Sequence, residues 1–295
     1  MTTRSQDKKR VRRKGARDYL SWLAALVAAA LLAYTVITNP RYQWGTVAQY
    51  FTGPTIIEGI GITLLLTAVS MTLGTIVGLL LALMRNSSTP PVVALAVGYI
   101  SFFRGTPMLV QLIFWFNIAA LYPNIGLSLP FLGIDYRVDT NVLIGPLTAA
   151  IIGLTLNEGA YMAEVIRGGF AAVDKGQVEA ADSLGMRYTT KLRRVLLPQI
   201  MPAVLPPTGN QLISMLKGTS LVSVLGVAEL LQSTQLIYAR TYQTIPLLIV
   251  ASIWYLLMTI ALGIPQSLIE KRYGRSNRMS VGAGVATPRV MEVPA

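Results

Sequence analysis

Apolar positions along this chain form long runs instead of the short alternation of a half-buried strand or surface helix. A helix needs roughly 20 apolar residues to cross the hydrocarbon core of a bilayer. Six segments meet or approach that length: 19–37, 59–84, 105–121, 141–166, 199–216 and 245–269. The pattern predicts an all-α membrane protein with about six transmembrane helices. Between the fourth and fifth spans the chain turns polar and basic, over "KGQVEAADSLGMRYTTKLRRVLLPQ" (175–199). Its residues favour a short helix, a bend at Gly185 and a second helix over 189–197, with Pro198 ending that helix or opening the next span.

Local signals refine the spans. Thr55 and Glu58 have the spacing of a capping box at the start of the second. Gly74 and Gly78 make a Gly-x-x-x-Gly pair, which lets helices approach closely and is read here as packing. The long loop "LYPNIGLSLPFLGIDYRVDTN" (121–141) is either a plain connection or a surface for an external partner.

Composition supports a lipid-exposed chain. Only 13% of the 295 residues are charged, against about 25% in soluble domains, and mean hydropathy is +0.54. With no histidine and no cysteine, disulfide scaffolds, thiolate or imidazole metal sites and the commonest general base are excluded.

The net charge of +12 is informative through its placement. Basic residues crowd the N-terminus (Arg4, Lys8, Lys9, Arg10, Arg12, Arg13, Lys14, Arg17), the polar middle segment and the C-terminal tail, whereas the opposite loops hold only Arg41, Arg137 and Arg240. Positive charge marks the cytoplasmic side, so both termini and the middle segment are expected in the cytoplasm. The N-terminal cluster is read as a topology determinant touching anionic lipid, not as a nucleic-acid patch. Segment 19–37 is read as a retained anchor, because it is of membrane length and lacks a small-residue cleavage site. The expected organisation is a basic tail (1–18), an additional N-terminal helix (19–37), a transmembrane domain (55–273) with a cytoplasmic loop (170–198), and a disordered tail (274–295).

Polar residues at membrane depth are the candidate chemistry. Glu158 falls about a dozen residues into the fourth span, roughly 18 Å deep at 1.5 Å per residue. An intramembrane carboxylate is a functional-site hypothesis by default; the alternative is a structural ion pair or an inter-subunit hydrogen bond. Asn157 stands beside it, and Glu164 with Arg167 has the spacing of a structural pair. In the fifth span Asn210 and Gln211, and at or beyond its end Lys217, Thr219 and Ser220, complete a candidate polar path, unless Lys217 snorkels to the surface.

The middle segment fits a protein partner better than lipid. An interfacial amphipathic helix buries bulky apolar residues, whereas 179–185 contains no aromatic residue and two alanines. Here the chain resembles ATP-binding-cassette importer permeases. Their cytoplasmic motif reads Glu-Ala-Ala, three residues, Gly, nine residues, a β-branched residue, one residue, Leu-Pro. It is met by Glu179, Ala180, Ala181, Gly185, Val195, Leu197 and Pro198. Val195 stands where isoleucine is commoner. "FFRGTPMLVQL", "LNEGAYMAEVIRGG" and "LPPTGNQLISMLKGTSLVSVLGVAEL" are similar to the polar amino-acid uptake branch. Gly218 departs from the aspartate often found there.

The resemblance implies a five-helix core to which span one is added, in a prokaryotic inner (cytoplasmic) membrane. It implies two separate ATPase subunits using ATP and Mg, a second permease subunit, identical or paralogous, and an extracytoplasmic solute-binding protein. Residues Glu179, Ala180, Ala181, Gly185, Leu197 and Pro198 then belong to the ATPase-coupling element. In agreement, no lysine follows a glycine, so the chain has no Gly-x-x-x-x-Gly-Lys phosphate loop. No cofactor, metal or nucleic acid is expected in this chain, and no enzymatic activity. The rival readings are an ion-gradient-driven secondary transporter, which needs no coupling loop, and a non-transporting scaffold or sensor subunit, which needs no polar residues at depth.

Overall fold

The computed structural model describes residues 16–129 and 134–283. Most of the basic N-terminal tail and the end of the C-terminal tail lie outside the described residues. In chain order come α1 (Ala16–Thr38), α2 (Trp44–Phe51), α3 (Pro54–Arg85), α4 (Pro90–Gly105), α5 (Met108–Phe116), β1 (Asn124–Leu129), β2 (Ile134–Asp139), α6 (Thr140–Leu143), α7 (Pro146–Ala171), α8 (Lys175–Ser183), α9 (Tyr188–Lys191), α10 (Leu197–Gly218), α11 (Leu230–Thr241) and α12 (Thr244–Ala283). Among the described residues the fold is helical but for one antiparallel strand pair, β1–β2, in register from Asn124↔Asp139 to Leu129↔Ile134. The segment expected as a loop thus contributes two paired strands, a small departure from the all-α expectation. The last helix also runs on to Ala283, past the boundary expected at 273.

Prolines set several helix starts. Pro54, Pro90 and Pro146 occupy the first turns of α3, α4 and α7, where a fixed φ and a missing N–H cost nothing. The capping box expected at Thr55 does not form: Gly53 is the N-cap of α3, and no side chain caps it.

α7 is the central helix. It lies against α3, α4, α5 and α10. Gly74 and Gly78 permit the α3 contact: a Cβ on Gly74 would stand 2.7 Å from Glu158 Cβ, and one on Gly78 2.6 Å from Met162 Cβ. The core beside this contact gathers Leu66, Leu112, Ala150, Leu154, Met215 and Val222.

Among the described residues, three helices are long and apolar enough to cross a membrane unaided: 19–38, 54–85 and 244–273. The number rises to five if two bent pairs each count as one span: α4 with α5, bent by 103°, and the rod 188–225 with α11, bent by 44°. This corrects one expectation. The third span does not run straight through 105–121; Pro107 opens a new helix after an extended Thr106, as the residue before a proline requires. α7, which holds most of the expected fourth span, falls below that apolar threshold, since it carries Asn157, Glu158, Glu164 and Arg167. α1 meets it, and its apolar window is 0% buried.

Candidate functional site

The site begins at the break between α4 and α5. Ending α4 at Gly105 leaves carbonyls without helical partners. Gln111, on the first turn of α5, supplies them: its Nε2 donates to Phe103 O at 3.0 Å, Thr106 O at 3.1 Å and Thr106 Oγ1 at 2.7 Å. Asn157 of α7 completes the elbow, donating through Nδ2 to Phe103 O at 3.1 Å and to Gln111 Oε1 at 3.0 Å.

The next residue on α7 is Glu158. It is 4% exposed, and its Oε1 is buried with no hydrogen-bond partner among the described residues. The carboxylate borders a cavity of about 430 Å³, open on one side. Thr106, Pro107 and Met108 from the elbow, Asn157, Glu158 and Tyr161 from α7, and Gln211, Ser214, Met215 and Gly218 from α10 form its walls. Arg104 lies over the Tyr161 ring, 5.3 Å from its centre, a cation–π contact at the edge of the site.

Three of the expected path residues meet here: Asn157, Glu158 and Gln211. The others do not. Asn210 accepts from Gln266 Nε2 at 2.7 Å, because one residue along a helix is a 100° turn and carries it toward α12. Lys217 is exposed and is not part of the cavity wall. Thr219 and Ser220 spend their hydroxyls on carbonyls one turn back, Leu216 O and Lys217 O, both at 2.7 Å. Thr106, Met108, Tyr161 and Ser214 were missed; "RGTPM" carried the signal for the first two, since a Thr-Pro step breaks a helix.

Glu164 is structural, as its spacing suggested. Arg167 Nε and Nη2 donate to its Oε2 at 2.9 and 2.8 Å. Arg85 of α3, distant in sequence, pairs with its other oxygen.

The polar middle segment forms a knob. Asp174 caps α8, its Oδ1 accepting from Gln177 N at 3.0 Å. Gly185, at φ 65, ends it in a Schellman turn: Gly185 N donates to Asp182 O at 2.9 Å and Met186 N to Ala181 O at 3.1 Å. Glu179 and Ala180 are exposed, and Leu184 is 79% exposed. Ala181, by contrast, is turned inward and buried. The second helix is not separate. α9 passes through a π-helical turn, 192–196, into α10, and Pro198 opens α10 without interrupting the rod. Leu197 and Pro198 are both exposed at its start.

The sequence matches the family of binding-protein-dependent transport system inner membrane components over residues 74–275. It is 41% identical over 266 residues to the arginine transport system permease protein ArgU of Corynebacterium glutamicum, covering 89% of this chain and 83% of the relative. It is 34% identical over 232 residues to the glutamine transport system permease protein GlnP of Escherichia coli, covering 79% and 98% respectively. A crystal structure of an amino acid ABC transporter with histidines matches with a TM-score of 0.63 at 38% identity, over 74% of this chain and 94% of that one.

Proposed function

Because the chain belongs to the family of binding-protein-dependent transport system inner membrane components, we propose that it is the membrane permease of an ATP-driven importer whose cargo is a basic amino acid held against Glu158. The observation that carries the cargo reading is the unpartnered, buried Oε1 of Glu158 at the edge of a cavity. A buried carboxylate without a partner is costly, and a cationic substrate group removes that cost. The first turn of α5, opened by Pro107 with no side-chain cap, presents free amides to the substrate carboxylate. Lys217, the other candidate for that carboxylate, is outside the cavity wall. The arginine relative and the transporter with histidines favour a basic substrate.

The assembly follows the family pattern: two ATPase subunits, a second permease subunit and an extracytoplasmic solute-binding protein, in a prokaryotic inner membrane. The chain crosses six times, through α1, α3, the broken pair α4–α5, α7, the α10–α11 rod and α12, with both termini cytoplasmic. ATP and Mg act on the ATPase subunits. Glu179, Ala180, Leu184 and Gly185 of the knob meet the ATPase cleft, while Ala181 holds the knob together. ATP-driven closure of the ATPases moves the knob. The helical rod from Tyr188 through α10 carries the motion to Gln211, Ser214 and Gly218 in the cavity wall. Exposure of the cavity then alternates between the two sides. Net import requires affinities that differ between the two states.

The test is arginine uptake into proteoliposomes holding the permease and its partners. Glu158→Gln is expected to lower uptake at least about tenfold, the scale of one lost charge-assisted hydrogen bond. Unchanged affinity and rate would remove Glu158 from the substrate path.

A further inference from the structure

One face of the rod that leaves the knob is not used by the function above. The residues turned toward α8 are accounted for: Lys191 Nζ pairs with Asp182 Oδ1 at 2.5 Å, and Gln199 Nε2 donates to Gln177 Oε1 at 2.8 Å. Residues at i, i+1, i+4 and i+5 lie on another side. There Thr189, Thr190, Arg193 and Arg194 line an open concavity of about 430 Å³. Both arginines are exposed, and among the described residues neither forms an ion pair. Two guanidinium groups and two hydroxyls in one hollow form a donor set for a tetrahedral, anionic oxygen group.

The hollow also has a definite height on the rod. Immediately beyond it the helix becomes apolar and outward-facing, with Leu197 and Met201 37–38% exposed, and the run continues into the span. Immediately before it stands Tyr188, 66% exposed, an aromatic residue of the kind that settles at headgroup level. The two arginines therefore sit at the boundary between acyl chains and water, on a side of the rod turned away from the α8 contacts. We propose that Thr189, Thr190, Arg193 and Arg194 form a binding site for the phosphodiester headgroup of an anionic phospholipid, which anchors the root of the knob to the bilayer. The knob then pivots about a fixed point when its tip is moved.

The site follows from where the rod enters lipid and not from which leaflet it meets, so its failure is separable from failure of the transport reading. The test places the full-length chain in phosphatidylcholine nanodiscs with a minor fraction of phosphatidylglycerol, and measures co-retained lipid by mass spectrometry. Enrichment of phosphatidylglycerol is expected. It should fall on the order of tenfold in R193Q/R194Q, given a few-fold preference for each interfacial arginine, and survive in R193K/R194K and in Arg187→Gln. Should the double variant misfold, the unaltered chain is labelled with photoactivatable phosphatidylglycerol, and the label is expected within 188–201. Label elsewhere overturns the proposal. So does displacement of the label by millimolar inorganic phosphate, which assigns the hollow to a soluble anion. Unchanged lipid enrichment in the double variant with loss of ATPase co-purification also overturns it, and assigns the arginines to an acidic protein surface.

Discussion

Glu158 and Glu229 are both buried carboxylates, and they differ in how their oxygens are partnered. Glu229, 0% exposed, caps α11: its Oε1 accepts from Gln232 N at 2.8 Å, and its Oε2 accepts from Leu231 N at 2.9 Å and Tyr255 Oη at 2.6 Å. Thr63 Oγ1 accepts from the neighbouring Leu230 N at 3.1 Å, so one cluster ties α3, α11 and α12 together. Every oxygen of Glu229 is occupied, whereas Glu158 keeps one free. Glu229→Ala is expected to lower the unfolding midpoint in detergent by several degrees, having lost a cap and orphaned a buried tyrosine hydroxyl, about 2–4 kcal/mol together. Glu158→Gln, which removes an unpartnered buried carboxylate, should leave that midpoint unchanged or raise it. Equal thermal shifts in the two variants would show that Glu158 is framework as well. The sequence marked Glu158 because it stands deep in an apolar run. It did not mark Glu229, whose partners Thr63 and Tyr255 are distant in sequence.

At the scale of elements, the knob was the most legible part, because its determinants are local. The small face around Ala180 and the glycine at 185 marked a short helix and its bend, while the Asp174 cap was seen only in the structure. What the sequence left open was continuity: Pro198 reads equally as a stop or a start, and only packing of the π-helical turn against α8 selects the start. The α4–α5 elbow was illegible for the opposite reason. Hydropathy averaged over 105–121 conceals a single Thr-Pro step, and the carbonyls freed there are satisfied by Asn157, far along the chain. Gly185→Ala, at φ 65, places a Cβ in the left-handed region at a cost of about 1–2 kcal/mol. We expect the knob's final turn to loosen and the ATPase to co-purify several-fold less well, with arginine binding to the permease intact. Full co-purification would separate the turn from coupling.

For the whole molecule, the hydrophobic pattern located α1, α3, α7, α10 and α12, but neither α4 nor α11, and not how the helices are layered. α1, with no buried residue in its apolar window, and α7, half buried, both read as spans, since a window of hydropathy does not distinguish lipid from protein as an apolar neighbour. Orientation rests on charge placement. The chain has no native cysteine, so single-cysteine reporters test it cleanly. Ser5→Cys and Ser280→Cys should resist a membrane-impermeant maleimide in intact cells, and Ser128→Cys in the outer strand β1 should react. Labelling of only one terminus would mean an odd number of crossings. The central claim, that transport is driven from the knob, is tested most directly by arginine accumulation in proteoliposomes carrying the permease, its ATPase and its binding protein. Accumulation is expected only when Mg-ATP reaches the ATPase side, and not with a proton or sodium gradient alone. Accumulation driven by an ion gradient without ATP would contradict the account.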